Sequence, residues 1–427
     1  MDRARRIGLF LLTAALGVVV AEGGARVALH RLLPVAEAST RREAIRQGIL
    51  PQLVPTFATA MTAGLAEHPF VGFVMDPSQN RGMHGLGVNE LGFIDSASPL
   101  RHRSPDSFVL GITGGSVAFW LSRTGEPTLR AALAAAPSLR GRRIELVRLA
   151  LGGFRQPQQT MTIEYLLTLG AEFDEVVNLD GFNEVALYRM DAKGNGSFPT
   201  YPRGWSALSG GPLSSPSVRE PLAEAIVWRA WRRTWAARMA PGLGGHTGLG
   251  NLVWLAGDRW LEGKAVTAES IAQEVDFKTL PYSATGPITH FESRRALAAE
   301  LATLWESSSR QLSRTCLANG IRYVHVLQPN QYVPGSKPMS RSERALALAD
   351  EGAFGEAVRE GYSLLAEGGR RLASEAIDFH DLTRLFQSRP EPLYIDSCCH
   401  LNEEGNRLLG EAVGSFVVAS LERNPLH

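Results

Sequence analysis

The run Phe108-Val-Leu-Gly-Ile-Thr-Gly-Gly-Ser116 is a short apolar segment that breaks at two glycines and delivers a serine. Far downstream, Asp396-Ser-Cys-Cys-His400-Leu-Asn offers an imidazole with a carboxylate close by. Between them lie two turns, Leu151-Gly-Gly-Phe154 and Asp180-Gly-Phe-Asn183. These residue types suit acyl transfer. A serine hydroxyl is a weak nucleophile until a base removes its proton. His400 is the candidate base, and Asp396 is the group that would orient its ring and stabilise its charged form. The developing oxyanion needs fixed donors. The backbone N–H of Ser116, the backbone N–H of Gly153 and the side-chain amide of Asn183 are the candidates. Glycine suits position 153 because the backbone must approach a substrate closely there, and the adjoining Gly152 is the alternative donor. Each piece also has a plainer reading alone. Gly-Gly-Ser can be a simple turn, His400 a solvated loop residue, Gly153 a strand-to-helix turn and Asn183 a helix N-cap.

What joins the four pieces is the pattern of elements that would carry them. Short apolar runs at 108–112, 144–149, 174–179, 321–327 and 376–382 read as strands flanked by turn residues. Helical patterns lie near 127–135, 157–170, 291–318, 353–375 and 402–421. Alternation of this kind predicts right-handed crossovers and a five-stranded parallel sheet covered on both faces, an α/β fold. Ligands bind beyond the C-terminal ends of such strands. Ser116, Gly153, Asn183 and His400 each follow a strand or the last crossover, so they share one edge. The run Gln328-Pro-Asn-Gln-Tyr332 follows the fourth strand at that edge and reads either as cleft lining or as a polar loop. His380 and Asp381 fall within a strand of their own and are set aside.

The organisation along the chain is expected to be a signal anchor at 1–34, an extracytoplasmic leader at 35–104 and a main domain at 105–427 with an insertion at about 191–290. Arg3, Arg5 and Arg6 precede an uncharged run from Ile7 to Ala21, the basic flank and apolar core of an export signal. That run falls short of the ~20 residues that comfortably span a bilayer. Val19-Val-Ala21 offers a cleavage site, but apolar character resumes after Gly23-Gly24 through Leu33, which favours an uncleaved anchor with its basic end cytoplasmic. The leader holds two strand-like pieces, His68-Pro-Phe-Val-Gly-Phe73 and Val88-Asn-Glu-Leu-Gly-Phe93. The insertion holds six of the eight tryptophans, among them Trp228, Trp231 and Trp235 on one helical face beside Arg229, Arg232 and Arg233. That face reads as a cap helix packing its aromatic stripe on the main domain, or else as an interfacial helix touching a membrane or glycan.

Composition excludes several classes. The chain has 427 residues, 44% hydrophobic and 20% charged, with a formal net charge of +1, so no basic field points to nucleic acid. Three cysteines make no disulfide scaffold. Cys398 and Cys399 adjoin, and Cys316 is placed at the opposite edge of the sheet, too far for the ~7 Å that a disulfide allows between Cα atoms.

Ser116, Gly153, Asn183 and His400, in this order, resemble the four blocks of the SGNH/GDSL hydrolases. The resemblance covers about 105–190 and 290–422, and the leader resembles that of bacterial membrane-anchored members. It implies a flavodoxin-like three-layer α/β/α sandwich behind an N-terminal membrane helix. It implies esterase, lipase or carbohydrate acetylesterase chemistry with no metal or organic cofactor. Two positions depart from the family pattern. Gly115 stands where the founding motif has aspartate. The family's acid lies three residues before the histidine, where this chain has Ser397, whereas Asp396 lies four before. An extra loop residue, Cys398 or Cys399, would restore the geometry; otherwise His400 acts in a dyad.

The expected function is that of an extracytoplasmic serine ester hydrolase, single-pass in the inner membrane with its catalytic domain periplasmic. Its expected partners are the membrane and an acylated carbohydrate or other ester, with O-acyl groups on cell-surface or exported glycans as the substrate. The alternatives are acetyl transfer onto a polysaccharide by the same residues, a catalytically inactive glycan-binding or assembly protein, and lipid hydrolysis at the membrane.

Overall fold

The computed structural model of the chain describes residues 3–32, 35–47, 64–79, 86–188, 198–209, 216–240, 243–273, 280–287 and 289–423. They belong to two compact units, Met1–Met61 with Gly210–Pro281, and Thr62–Ser209 with Tyr282–His427.

The larger unit is built on the expected alternation. A small antiparallel hairpin of β1 (Leu65–His68) and β2 (Gly72–Met75) comes first. The main sheet then forms from β3 (Ser107–Gly114), β4 (Arg143–Arg148), β5 (Glu175–Asp180), β6 (Arg322–Leu327) and β7 (Asp378–Asp381). All neighbours are parallel and the order is β4-β3-β5-β6-β7. This is the flavodoxin-like order of a three-layer α/β/α sandwich. Every residue of β3 and of β5 is buried, as expected for strands covered on both faces. The covering helices form two groups. Ser116–Arg123, Glu126–Ala135 and Glu403–Arg423 pack together, and Gln158–Thr168, Arg294–Ala318 and Glu356–Ser374 form the other layer. The chain leaves β3 for one edge and returns on its other side as β5. The crevice at that reversal opens beyond the C-terminal ends of β3 and β5.

One leader segment differs from its expectation. Val88–Phe93 reads as strand-like, but it forms a turn held by a side chain. Asn89 Oδ1 accepts from Leu91 N at 3.2 Å and Phe93 N at 3.0 Å, and Asn89 Nδ2 donates to Ala97 O at 3.1 Å. An asparagine amide that satisfies local backbone groups competes with a strand ladder and wins here. The leader is tied to the sheet by Asp95, which accepts from Arg148 Nη1 at 2.7 Å at the end of β4.

The smaller unit is helical. Its first helix, Arg3–Leu32, runs through Gly23 and Gly24 without a break. Within it Ile7–Arg31, 25 residues, is long and apolar enough to cross a membrane. At ~1.5 Å per residue such a stretch exceeds the ~30 Å hydrocarbon core of a bilayer. Glu22 accepts from Gly248 N at 2.5 Å and Leu249 N at 3.0 Å, which caps the helix Gly248–Gln273. That helix pairs with Pro216–Met239, and two tryptophans of the stripe, Trp228 and Trp235, pack against it. Trp235 Nε1 donates to Trp254 O at 3.1 Å, Trp228 meets the Trp260 ring edge-on at 5.4 Å, and Trp231 remains exposed. Two of the three arginines beside the stripe are paired: Arg232 forms a bidentate contact with buried Asp258, and Arg229 pairs with Glu269.

Candidate active site

Ser116 is the first residue of the helix Ser116–Arg123, directly after β3 and the two glycines. The helix N-terminus directs its positive dipole end at the hydroxyl. Gly115 owes its identity to a neighbour. A Cβ built there would lie 2.2 Å from Asn183 Nδ2, so only a residue without a side chain lets the Asn183 amide lie against the Gly115–Ser116 backbone.

The three residues of the candidate triad meet although 284 positions separate Ser116 from His400. His400 Nε2 lies 2.8 Å from Ser116 Oγ, and His400 Nδ1 makes a short hydrogen bond with Asp396 Oδ2. The spacing of four is accommodated within the loop. Asp396 Oδ1 accepts three backbone N–H groups, Cys398 at 2.9 Å, Cys399 at 3.2 Å and His400 at 3.2 Å. The carboxylate thus winds the extra residue into a turn around itself and keeps its second oxygen for the ring. Ser397, three residues before His400, faces elsewhere and donates to Asp350 Oδ2. Ile395 N→His400 O at 3.0 Å and Asn402 N→Leu393 O at 2.9 Å close the loop at its base.

The charges of this chain reinforce one another. Burial is the largest single influence and works against the charged forms of both His400 and Asp396. Other contributions together outweigh it: their mutual hydrogen bond and attraction, the backbone N–H groups on the carboxylate and the Cys398 charge near the ring. The imidazole is therefore raised and the carboxyl lowered from their ordinary values. The bond to Nδ1 leaves Nε2 as the nitrogen that faces the serine hydroxyl.

The turns that carry the two remaining candidate donors, Gly153 and Asn183, meet beside Gly115. The turn Leu151–Phe154 is closed by Phe154 N→Leu151 O at 3.1 Å, with Gly153 at a φ of +86°. Glycine adopts that left-handed conformation without strain. Asn183 Nδ2 donates to Phe154 O at 2.7 Å, which fixes the amide across the gap between the loops. A primary amide carries two N–H groups, so the second is available to a ligand. Buried Glu184 joins the same two loops. Its Oε2 accepts from Gly181 N at 2.8 Å, and its Oε1 accepts from Gln156 N at 3.1 Å and Gln159 Nε2 at 3.2 Å. Burial raises the Glu184 carboxyl, and neighbouring Asp180 raises it further. Asp180, at the end of β5, accepts from Trp305 Nε1 at 2.6 Å, Asn178 Nδ2 at 2.7 Å and Gln156 Nε2 at 3.2 Å, and pairs with His325 Nε2 at 3.0 Å. A wholly buried polar network therefore ties the Asn183 turn to the segment that follows Gly153.

The other residues singled out in the sequence fall into place. Gln328, Asn330, Gln331 and Tyr332 are buried. Tyr332 OH donates to Ser397 O at 2.7 Å and Gln331 Nε2 to Asp396 O at 3.3 Å, so this segment holds the loop of Asp396 from below. His380 is stacked on the Phe416 ring, centroids 3.6 Å apart. Sequence reasoning missed Glu184, although it directly follows Asn183, and it missed Arg203. The Arg203 side chain covers Gly153, its Cδ 3.0 Å from where a Cβ would be. Its charge also acts on Cys398, whose thiol is lowered by the hydrogen bond with Cys399 and further by His400 and Arg203.

No family model matches the chain, and no curated protein matches it. Among solved structures it is similar to a GDSL-like lipase from Bacteroides thetaiotaomicron VPI-5482, at 10% identity and a TM-score of 0.34, covering 76% of this chain and 92% of that one. It is also similar to an acetyl xylan esterase, at 13% identity and a TM-score of 0.33, covering 72% of this chain and 98% of that one. Both likenesses are distant, and the functional reading stands on the geometry of the site.

Proposed function

We propose that the chain is a serine ester hydrolase of SGNH type. The observation that carries this reading is the hydrogen-bonded series Asp396–His400–Ser116, with Nε2 at 2.8 Å from Oγ. His400 Nε2 takes the Ser116 proton as Oγ attacks the ester carbonyl. The tetrahedral oxyanion is held by the Ser116 N–H, the Gly153 N–H and the second N–H of the Asn183 amide. The imidazolium, stabilised by Asp396, gives its proton to the departing alcohol and leaves an acyl-Ser116 intermediate. Water enters and attacks the acyl carbon as His400 removes its proton; the acyl–Oγ bond breaks, His400 returns that proton to Ser116 Oγ, and the acyl group departs as a carboxylic acid.

The basic flank at Arg3, Arg5 and Arg6 and the long apolar helix behind it support a single-pass anchor in the inner membrane, basic end inside and catalytic unit periplasmic. In that compartment the substrates are O-acyl, in the simplest case O-acetyl, groups on cell-surface or exported glycans. The test is turnover of a short-chain nitrophenyl ester, then of acetylated polysaccharide, by full-length protein and its Ser116→Ala variant. Turnover by the wild type alone supports the reading; equal turnover by both removes Ser116 as nucleophile.

A further inference from the structure

Two thiols stand between the acid and the base of the triad. Cys398 Sγ and Cys399 Sγ are 3.7 Å apart, and with a ring nitrogen of His400 their ligand atoms all lie within 4.8 Å of one another. They are held there by the extra residue of the loop, whose N–H groups converge on Asp396 Oδ1. A tetrahedral zinc ion has Zn–S bonds of about 2.3 Å and Zn–N bonds of about 2.0–2.1 Å, which sets its S···S edge at about 3.8 Å and its S···N edge at about 3.6 Å. The sulfur pair already stands at the chelating separation, whereas a disulfide requires about 2.05 Å. The nitrogen needs to close by no more than about 1.2 Å to meet the same ion. Cys398 is partly exposed and gives an ion its way in, while Cys399 is buried.

We infer that Cys398, Cys399 and His400 form a site for a thiophilic metal ion, Zn(II), Cd(II) or Cu(I), and that filling it switches off the Ser116–His400 pair. Two thiolates and an imidazole are the donor set that selects such ions. On binding, two S–H bonds break, their protons pass to solvent, and two metal–sulfur bonds form. The fourth position of the tetrahedron is left to water. Both ring nitrogens of His400 are engaged in the metal-free arrangement, one by Asp396 and one by Ser116. Whichever nitrogen takes the metal, one of those bonds is lost. Metal ligation and proton transfer from Ser116 therefore exclude each other. The inhibitory half of this inference rests on the proposed hydrolase reading; the binding half does not.

The experiment titrates reduced full-length protein in detergent with Cd(II), reading the ultraviolet thiolate-to-cadmium charge-transfer band. Zn(II) is then titrated against ester turnover. The expected result is one ion per chain. Cys398→Ser and Cys399→Ser should each weaken binding by more than about 100-fold, beyond the loss typical of an outer-sphere partner. Cys316→Ser should leave it intact. Turnover should fall in step with Zn(II) occupancy and return on adding a chelator. Cys398→Ser, at the more exposed thiol, keeps the test decisive where the buried Cys399 variant fails to fold. Absence of the band, or its persistence in Cys398→Ser, overturns the site; a filled site with full turnover overturns the switch. A wild type that turns over no ester but shows the band, lost in Cys398→Ser, refutes the hydrolase reading while upholding the site.

Discussion

Replacing Gly115 with alanine tests the construction of the oxyanion site through a single methyl group. The new Cβ would stand 2.2 Å from Asn183 Nδ2, where ordinary contact begins near 3.4 Å. Asn183 is already fixed by its bond to Phe154 O at 2.7 Å and is buried, so its amide must retreat by about 1.2 Å and leave the oxyanion. Loss of one such donor lowers kcat by about 10²–10³, or about 2.7–4 kcal/mol. Asn183→Ala should cost a similar amount. Combined, the two changes should not add: with Asn183 already truncated, the alanine at 115 has no amide to displace and should slow the enzyme by less than about threefold further. The assay is kcat for a nitrophenyl ester across the four proteins of the cycle, with thermal melts to verify folding. A Gly115→Ala protein with wild-type kcat, or a double variant carrying the full product of the single losses, would refute the role given to Asn183.

Because His400 is raised above its ordinary value and must be neutral to act as base, kcat/KM should climb with pH and level off only above about 6.5. Asp396→Asn removes the bond that raises it, so the acid limb should move to lower pH as kcat falls by about 10⁴; an unmoved limb would dissociate Asp396 from His400. Glu184→Ala orphans the N–H groups of Gly181 and Gln156 and should cost about 1–3 kcal/mol for each in urea unfolding, with kcat lowered as the donor loops separate. Trp305→Phe keeps a ring but removes the donor to Asp180, a bond to a charged group, and should cost about 1.5–3 kcal/mol by the same measure. Protease added outside spheroplasts should digest the catalytic unit; its protection would reverse the proposed orientation.

The strands, the crossover helices and the common edge of the four motifs were legible because each rests on a local pattern. An apolar run such as Phe108–Ile112 fixes a buried strand, and parallel topology then fixes which end faces the cleft. Val88–Phe93 was misread because strand-like composition does not reveal that Asn89 will satisfy the backbone itself. The spacing of Asp396 could not be resolved from sequence, since three N–H groups wrapping one carboxylate oxygen are a property of the folded loop. Glu184 bridging two loops, Arg203 covering Gly153 and Tyr332 supporting Ser397 pair residues distant in the chain. Such pairs follow from tertiary packing, which periodicity does not encode.

The central claim is that His400 activates Ser116. The most direct measurement is the intact mass of full-length protein after exposure to a fluorophosphonate, with the modified peptide identified. The account predicts one adduct per chain, located on Ser116, absent from Ser116→Ala and strongly slowed in His400→Ala. A folded wild type that acquires no adduct, or acquires it on another residue, would contradict it.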